Sequence, residues 1–337
     1  MLKIGDRMVT TKDLILVGVL ILVAIAAIWA MVGSKPKPVI GMPGTGMVLM
    51  QGGQPGSGLG QFSYPRGIAV NNKGEVYVAD SKNHRVQRFN GKDWQLMSDF
   101  GGFANVGGGD VKKLVADSPG KLNEPNGLSI GPDDNVYVID TWNGRVQTFT
   151  SRGSHKQTFA VDDGFFGPRE IVTDANGFFY VADTGKHRIV KFDSKGQKVR
   201  VWGNKGDKPG EFNEPIGLAL DQAGNLYVAD RLNFRIQVFN ADGIFVKQWA
   251  VKGWSKEQID MEPHLALDQI KGLLYATDGR GKAVYCYKLD GTLVSTIAKD
   301  AQGNNLFSVP LGIAVDKEGN VYVTDAGAGK IYKIKGQ

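Results

Sequence analysis

From Leu14 to Gly33 the chain reads "LILVGVLILVAIAAIWAMVG", with no charged residue. In a helix, about 20 residues reach about 30 Å, the hydrocarbon thickness of a bilayer. The pattern predicts an uncleaved transmembrane anchor at residues 14–33. A signal peptide would have an apolar core of roughly 7 to 15 residues and a small-x-small cleavage site. Residues 34–46, "SKPKPVIGMPGTG", are dense in Pro and Gly and read as a linker. Beyond it the pattern changes. Short apolar runs such as "GIAV", "VYVAD" and "RVQRF" alternate with clusters of Gly, Asn and Asp, which predicts short strands joined by tight turns with no room for helices.

The runs repeat. "VYVADSKNHRVQRF" at 76 returns as "VYVIDTWNGRVQTF" at 136, "FYVADTGKHRIVKF" at 179, "LYVADRLNFRIQVF" at 226, "LYATDGRGKAVYCY" at 274 and "VYVTDAGAGKIYKI" at 321. Each copy follows a strand opened by proline: "PRGIAV", "PNGLSI", "PREIVT", "PIGLAL", "PHLAL" and "PLGIAV". Periods of this size signal a repeat architecture. The strands are apolar at nearly every position, so both faces of each small sheet need cover, which a closed ring of like sheets supplies. The expected fold is all-β, a six-bladed β-propeller. Copy six ends after three strands, and the run "GMVLMQ", residues 46–51, is expected to supply its fourth and close the ring.

The phrase resembles the NHL repeat: a Pro-x-Gly inner strand, Val-Tyr-Val-Ala-Asp, then Asn-His-Arg-Val and an aromatic. The likeness runs from about residue 60 to the end in six copies, and it implies a six-bladed propeller. Copies five and six depart from it, with Ala283 in place of the arginine and Lys330 where the first copy has Arg85.

Charge adds little. Of the net +6, the segment before residue 46 supplies half through Lys3, Arg7, Lys12, Lys35 and Lys37 against Asp6 and Asp13. The remaining body is only mildly basic, so no nucleic-acid partner is expected. Positive-inside bias favours residues 1–13 as a cytoplasmic tail and the propeller, 47–337, on the extracytoplasmic side of a cell membrane. The lone Cys286 excludes an internal disulfide and a cysteine zinc cluster, and its setting "AVYCYK" reads as a buried inert thiol.

Repetition separates architecture from chemistry. The six strand-ending aspartates, the tyrosines, Arg85, Arg145, Arg188 and Arg235 recur and are assigned to structure, as are His84 and His187, each expected to serve its local turn. The copies diverge after the inner-strand proline, where all blades converge on the channel mouth: Arg66, Asn126, Arg169 with Glu170, Ile216, His264 and Leu311. Copy five is one residue short, so His264 fits either of two slots. Arg66, Asn126, Arg169, Glu170 and His264 form the candidate ligand-binding set, suited to an anion or an acidic partner side chain; a solvated rim of polar loops is the simpler account.

Peptidyl-hydroxyglycine lyases resemble this chain in fold and hold zinc with three mouth histidines, but here only His264 occupies a mouth. The glutamate, asparagine and aspartate set of lactonase-type propellers finds a partial match in Asn126 and Glu170. "GQPGSGLG" and "GMPGTG" lack the Lys-Ser/Thr ending of a phosphate loop. No cofactor, metal or catalytic residue is expected. The reading is a membrane-anchored, non-catalytic scaffold that binds a protein partner or ligand, or serves as a subunit of a membrane assembly; the alternative is a metal-dependent lyase or hydrolase with its site at the mouth. The long connection "GGFANVGGGDVKKLVADSPGKLNEP" is read as a subunit contact or a tolerated insertion.

Overall fold

The computed structural model describes residues 2–4, 7–9, 46–106, 111–255 and 262–337. The expected anchor at 14–33 and most of the 34–46 linker lie outside the described residues; among the described ones no helix is long and apolar enough to cross a membrane. Leu2–Ile4 and Arg7–Val9 pair as a short antiparallel hairpin.

Residues 46–337 form six four-stranded antiparallel sheets. The innermost strands, in chain order, are Pro65–Val70, Pro125–Ile130, Glu170–Thr173, Pro215–Leu220, Leu265–Asp268 and Pro310–Val315. Each lies beside the inner strand of the next blade, and the sixth lies beside the first, so the ring is closed. In the sixth blade, Val48–Gly52 pairs with Lys330–Ile334, with Tyr332 opposite Gln51. This joins the two ends of the propeller in one sheet and leaves no open seam. The core lies between blades: Tyr77, Ala79 and Val86 of blade 1 pack on Leu128, Val136 and Val138 of blade 2, and the same arrangement recurs around the ring.

The recurrent aspartates tie each blade together. Asp140 accepts the Asn123 backbone N–H at 2.6 Å, the Arg145 Nε–H at 2.7 Å and the Gln147 amide at 3.1 Å, and it also takes the Asn143 side chain. Asp80 and Asp230 repeat the set with Arg85 and Arg235. Where Ala283 removes the arginine, Asp278 turns to the Gly281 N–H and the Tyr285 hydroxyl. Cys286 is buried, and burial pushes its thiol up to about 11. The connection between blades 1 and 2 carries a helical turn, Val111–Ala116.

Candidate functional site

Strand register settles where the mouth residues stand. Ile68 faces Val78, Leu128 faces Val138, Ile171 faces Val181 and Leu265 faces Ala276. Glu170 and His264, one residue earlier, therefore occupy the slot that is glycine in the other four blades. Those glycines are small because the neighbouring backbone is close. A Cβ on Gly67 would lie 2.4 Å from the Asn126 carbonyl, and one on Gly217 would lie 2.6 Å from that of Pro263. Blades 3 and 5 break this rule, and their two side chains meet: His264 Nδ1 lies 2.5 Å from Glu170 Oε2, both groups buried.

A second tie lies in the same layer. Glu262 receives Arg66 Nε–H from blade 1 at 2.8 Å and Arg169 Nη1–H from blade 3 at 3.1 Å. Burial would raise the Glu262 carboxyl, but the two guanidinium groups overcome it and hold the carboxyl below its ordinary range. Burial lowers the Arg169 pKa, partly offset by Glu262. Glu124 lies 3.6 Å from Arg66 and accepts from Lys82 at 2.7 Å; burial acts to raise its pKa, and Lys82, the Trp142 side chain and Arg66 bring it below the ordinary value. Glu214 pairs with Arg231. The five sequence candidates thus fall on two adjacent inner-strand positions, Glu170 and His264 one residue past the slot of Arg66, Asn126 and Arg169, with their charged members paired among themselves or to Glu262 and Glu124. The simple picture of free arginines awaiting an anion does not describe this mouth.

Glu124, Glu214 and Glu262 are the residues that sequence reading passed over. Each directly precedes the inner-strand proline, so "EP" at 124, 214 and 262 was the available signal. Tyr64, Glu124 and Glu214 adopt left-handed backbone at φ 54°, 48° and 58°, a conformation costing non-glycine residues of order 1–3 kcal/mol. It is held in place by neighbours: the Glu124 N–H donates to His84 Nδ1 at 3.1 Å and the Glu214 N–H to His187 Nδ1 at 3.0 Å. Both histidines therefore reach beyond their own turns, contrary to expectation, and clip their blade to the next. His155 begins the strand His155–Phe159.

Accepting at Nδ1 requires a neutral ring with its proton on Nε2. Burial is the main cause that holds both pKa values below the ordinary value of about 6.5. The unfolded chain then binds more protons than the folded one as pH falls through that value, so this contribution to stability is present above about 6.5 and is lost below it. Replacing both histidines by asparagine is expected to flatten the fall of the guanidinium midpoint between about pH 7 and 5.5; an unchanged slope would refute the assignment.

Above the layer, aromatic side chains of blades 1 to 3 are exposed: Phe103 at 61%, Trp142 at 51% and Phe166 at 65%. Tyr64 stacks under the Arg66 guanidinium at 4.7 Å, and Trp142 lies 5.6 Å from that of Arg169. Below the layer a channel of about 660 Å³ runs to the turns at the opposite face, with Glu170 the member of the layer that lines it. Among the described residues no group of three or more His, Cys, Asp or Glu side chains could hold a metal ion.

The model of the NHL repeat matches residues 62–89, 122–149, 167–192 and 212–239, the first four blades. The chain carries four matched NHL repeats within a six-bladed β-propeller. It is 26% identical over 146 residues to the protein brain tumor of Drosophila melanogaster, covering 43% of this chain and 13% of that one. It is 33% identical over 89 residues to peptidyl-alpha-hydroxyglycine alpha-amidating lyase 1 of the same organism, covering 23% and 16%. The matches thus span less than a fifth of either relative. A gluconolactonase from Xanthomonas campestris superposes with a TM-score of 0.59 at 13% identity over 82% of this chain and 86% of its own, a likeness of fold.

Proposed function

We propose that this propeller is a non-catalytic scaffold that docks a protein partner on its Pro-x-Gly face, as a subunit of a membrane assembly. NHL-repeat propellers generally serve as binding scaffolds. The observation that carries the reading is the closed mouth. Arg66, Arg169, Glu170, Glu262 and His264 pair with one another, while Phe103, Trp142 and Phe166 remain exposed on the same face. A rigid floor with exposed aromatic anchors suits a protein surface, since tryptophan and arginine dominate interface energetics.

In this reading residues 14–33 anchor the chain in a cell membrane, residues 1–13 are cytoplasmic, and 34–46 link the anchor to a propeller on the extracytoplasmic side. The uncharged run supports the anchor. Met47 accepts the Lys335 N–H, and Gly336 packs beside Gly319, a turn at the end opposite the mouth. The first described residues of the propeller thus lie on the turn side, at the end opposite the aromatic face.

The test places a photo-crosslinking residue at position 142 or 166 in the full chain in its native membrane, with position 199 on an outer strand as the comparison. Discrete adducts are expected from 142 and 166 only. Trp142→Ala with Phe166→Ala is expected to lower partner recovery at least about tenfold, the scale of losing one aromatic anchor. Equal labelling at 199, or none at the mouth face, would overturn the proposal. In sealed membranes, protease added from the extracytoplasmic side is expected to digest the propeller.

A further inference from the structure

Two of the three exposed aromatic side chains on the docking face sit on turns that end in histidine. His84 closes the turn Ser81–Asn83 of blade 1 and His187 the turn Thr184–Lys186 of blade 3, each in left-handed backbone, at φ 56° and 53°. The same slot holds Gly144, Phe234, Lys282 and Gly329 in the other blades. Phe103 stacks on the His84 imidazole, with ring centroids 4.7 Å apart. Phe166 lies over Gly185, where a Cβ would be 2.3 Å from its ring, and its carbonyl accepts the Gly185 N–H at 2.9 Å. The third aromatic, Trp142 of blade 2, reaches the carboxylate of Glu124. Glu124 is the residue whose N–H donates to His84 Nδ1.

Both imidazoles accept at Nδ1, a role open to them only when neutral. A proton on His84 Nδ1 sets one N–H against another. The 3.1 Å bond is lost, and with it the contact that holds Glu124 in left-handed backbone at φ 48°. The new imidazolium also attracts the Glu124 carboxylate, which otherwise binds Lys82 and the Trp142 side chain. At His187 a proton breaks the 3.0 Å bond from Glu214, the partner of Arg231. The charged groups that act on His84 are Glu124, Lys82 and Asp140; those that act on His187 are Lys205, Glu214, Asp230 and Asp183. Burial is the largest influence on both rings and opposes the proton; the lysines oppose it as well, and the carboxylates favour it. Burial prevails, so the rings are neutral at neutral pH and gain protons only below about 6.5.

We propose that the docking face is acid-labile: it holds its partner while His84 and His187 are neutral and lets it go when they are protonated. The inference rests on the scaffold reading above and names its regulation. Aromatic anchors contribute affinity in a preformed arrangement, and the proton acts on what Phe103, Trp142 and Phe166 rest against. Linkage fixes the sign and the ceiling. A complex that requires both rings neutral loses up to about tenfold in affinity per histidine for each pH unit below the titration. Partner binding must in turn resist protonation of both rings.

The test reads the face with and without the partner. Adducts from a photo-crosslinking residue at position 166, in the full chain in its native membrane, are compared at about pH 7.5 and about pH 5.5. A loss of at least about tenfold is expected in the wild-type background, and of less than about twofold in His84→Asn with His187→Asn, where an amide oxygen takes the place of Nδ1 without titrating. In the solubilised full chain labelled with 5-fluorotryptophan, the Trp142 fluorine resonance, identified with Trp142→Phe, is expected to shift with a midpoint below about 6.5 and to stay fixed in His84→Asn. Circular dichroism at the lower pH establishes that each protein is folded. A wild-type loss matched by the double variant, or a Trp142 resonance that does not titrate or titrates unchanged in His84→Asn, overturns the inference. Absence of adducts at the higher pH overturns the docking reading instead, and the fluorine titration then decides alone whether the histidines govern the face.

Discussion

Arg145→Ala is expected to destabilise the propeller by about 3–5 kcal/mol, the scale seen when one member of a buried ion pair is removed. Arg145 is fully buried and donates to Asp140, which is also fully buried. The same guanidinium donates to the carbonyls of Asp117, Ser118 and Lys121 and so fastens the end of the long connection between blades 1 and 2. Its loss leaves the Asp140 carboxylate without its counter-charge and removes a donor from three carbonyls at once. Lysine should not rescue it, since a single ammonium cannot reproduce the planar fork. The guanidinium chloride midpoint measures the cost. A cycle with Asp140→Ala should show strong coupling, because the second truncation removes the stranded charge. A loss below about 1 kcal/mol would refute the role given to the knot. Limited proteolysis between residues 102 and 124 should accelerate in Arg145→Ala.

The propeller was legible because its architecture is written six times. A single strand such as "PLGIAV" is ambiguous, but six proline-led strands each followed by a Tyr-x-x-Asp strand leave one arrangement that covers both faces of every sheet. The knot residues were legible for the same reason. The mouth was legible as a location, since variation among copies marked Arg66, Asn126, Arg169, Glu170 and His264, which fall on adjacent inner-strand positions. Their pairing was not legible. Whether Arg66 faces solvent or Glu262 depends on a contact between residues 196 positions apart, set by ring geometry that no local pattern encodes. His264 was ambiguous until the Leu265–Ala276 pairing fixed its slot. His84 and His187 looked local because recurrence cannot distinguish a bond within a blade from one to the next.

Blades 1, 3 and 5 are tied across the axis by Arg66, Arg169, Glu170, Glu262 and His264. These ties stand between the mouth and the channel that Glu170 lines.

Gly312→Ala is expected to weaken the ring at its closure, by about 1–3 kcal/mol, the cost of overpacking a filled site. The mechanism differs from the turn glycines, because Gly312 is absent from the positive-φ set and its constraint is space alone. A Cβ there would lie 2.0 Å from the Arg66 carbonyl oxygen, where real Cβ contacts do not occur. That oxygen accepts from Thr324 Oγ1 at 2.6 Å, and the Gly312 N–H donates to the same hydroxyl at 2.8 Å. The added methyl must therefore push blade 1 from blade 6 and stretch the hydrogen bonds that join them. Gly60→Ala is the comparison for strain without crowding, since Gly60 has φ +76° and nothing within 4 Å of its Cβ position. Hydrogen exchange separates the two. Gly312→Ala should raise exchange in Pro310–Val315 and Pro65–Val70 together, whereas Gly60→Ala should affect only its own loop. Exchange confined to blade 6 would mean that the seam yields without transmitting strain, and the closure would then rest on Val48–Gly52 rather than on the inner strands.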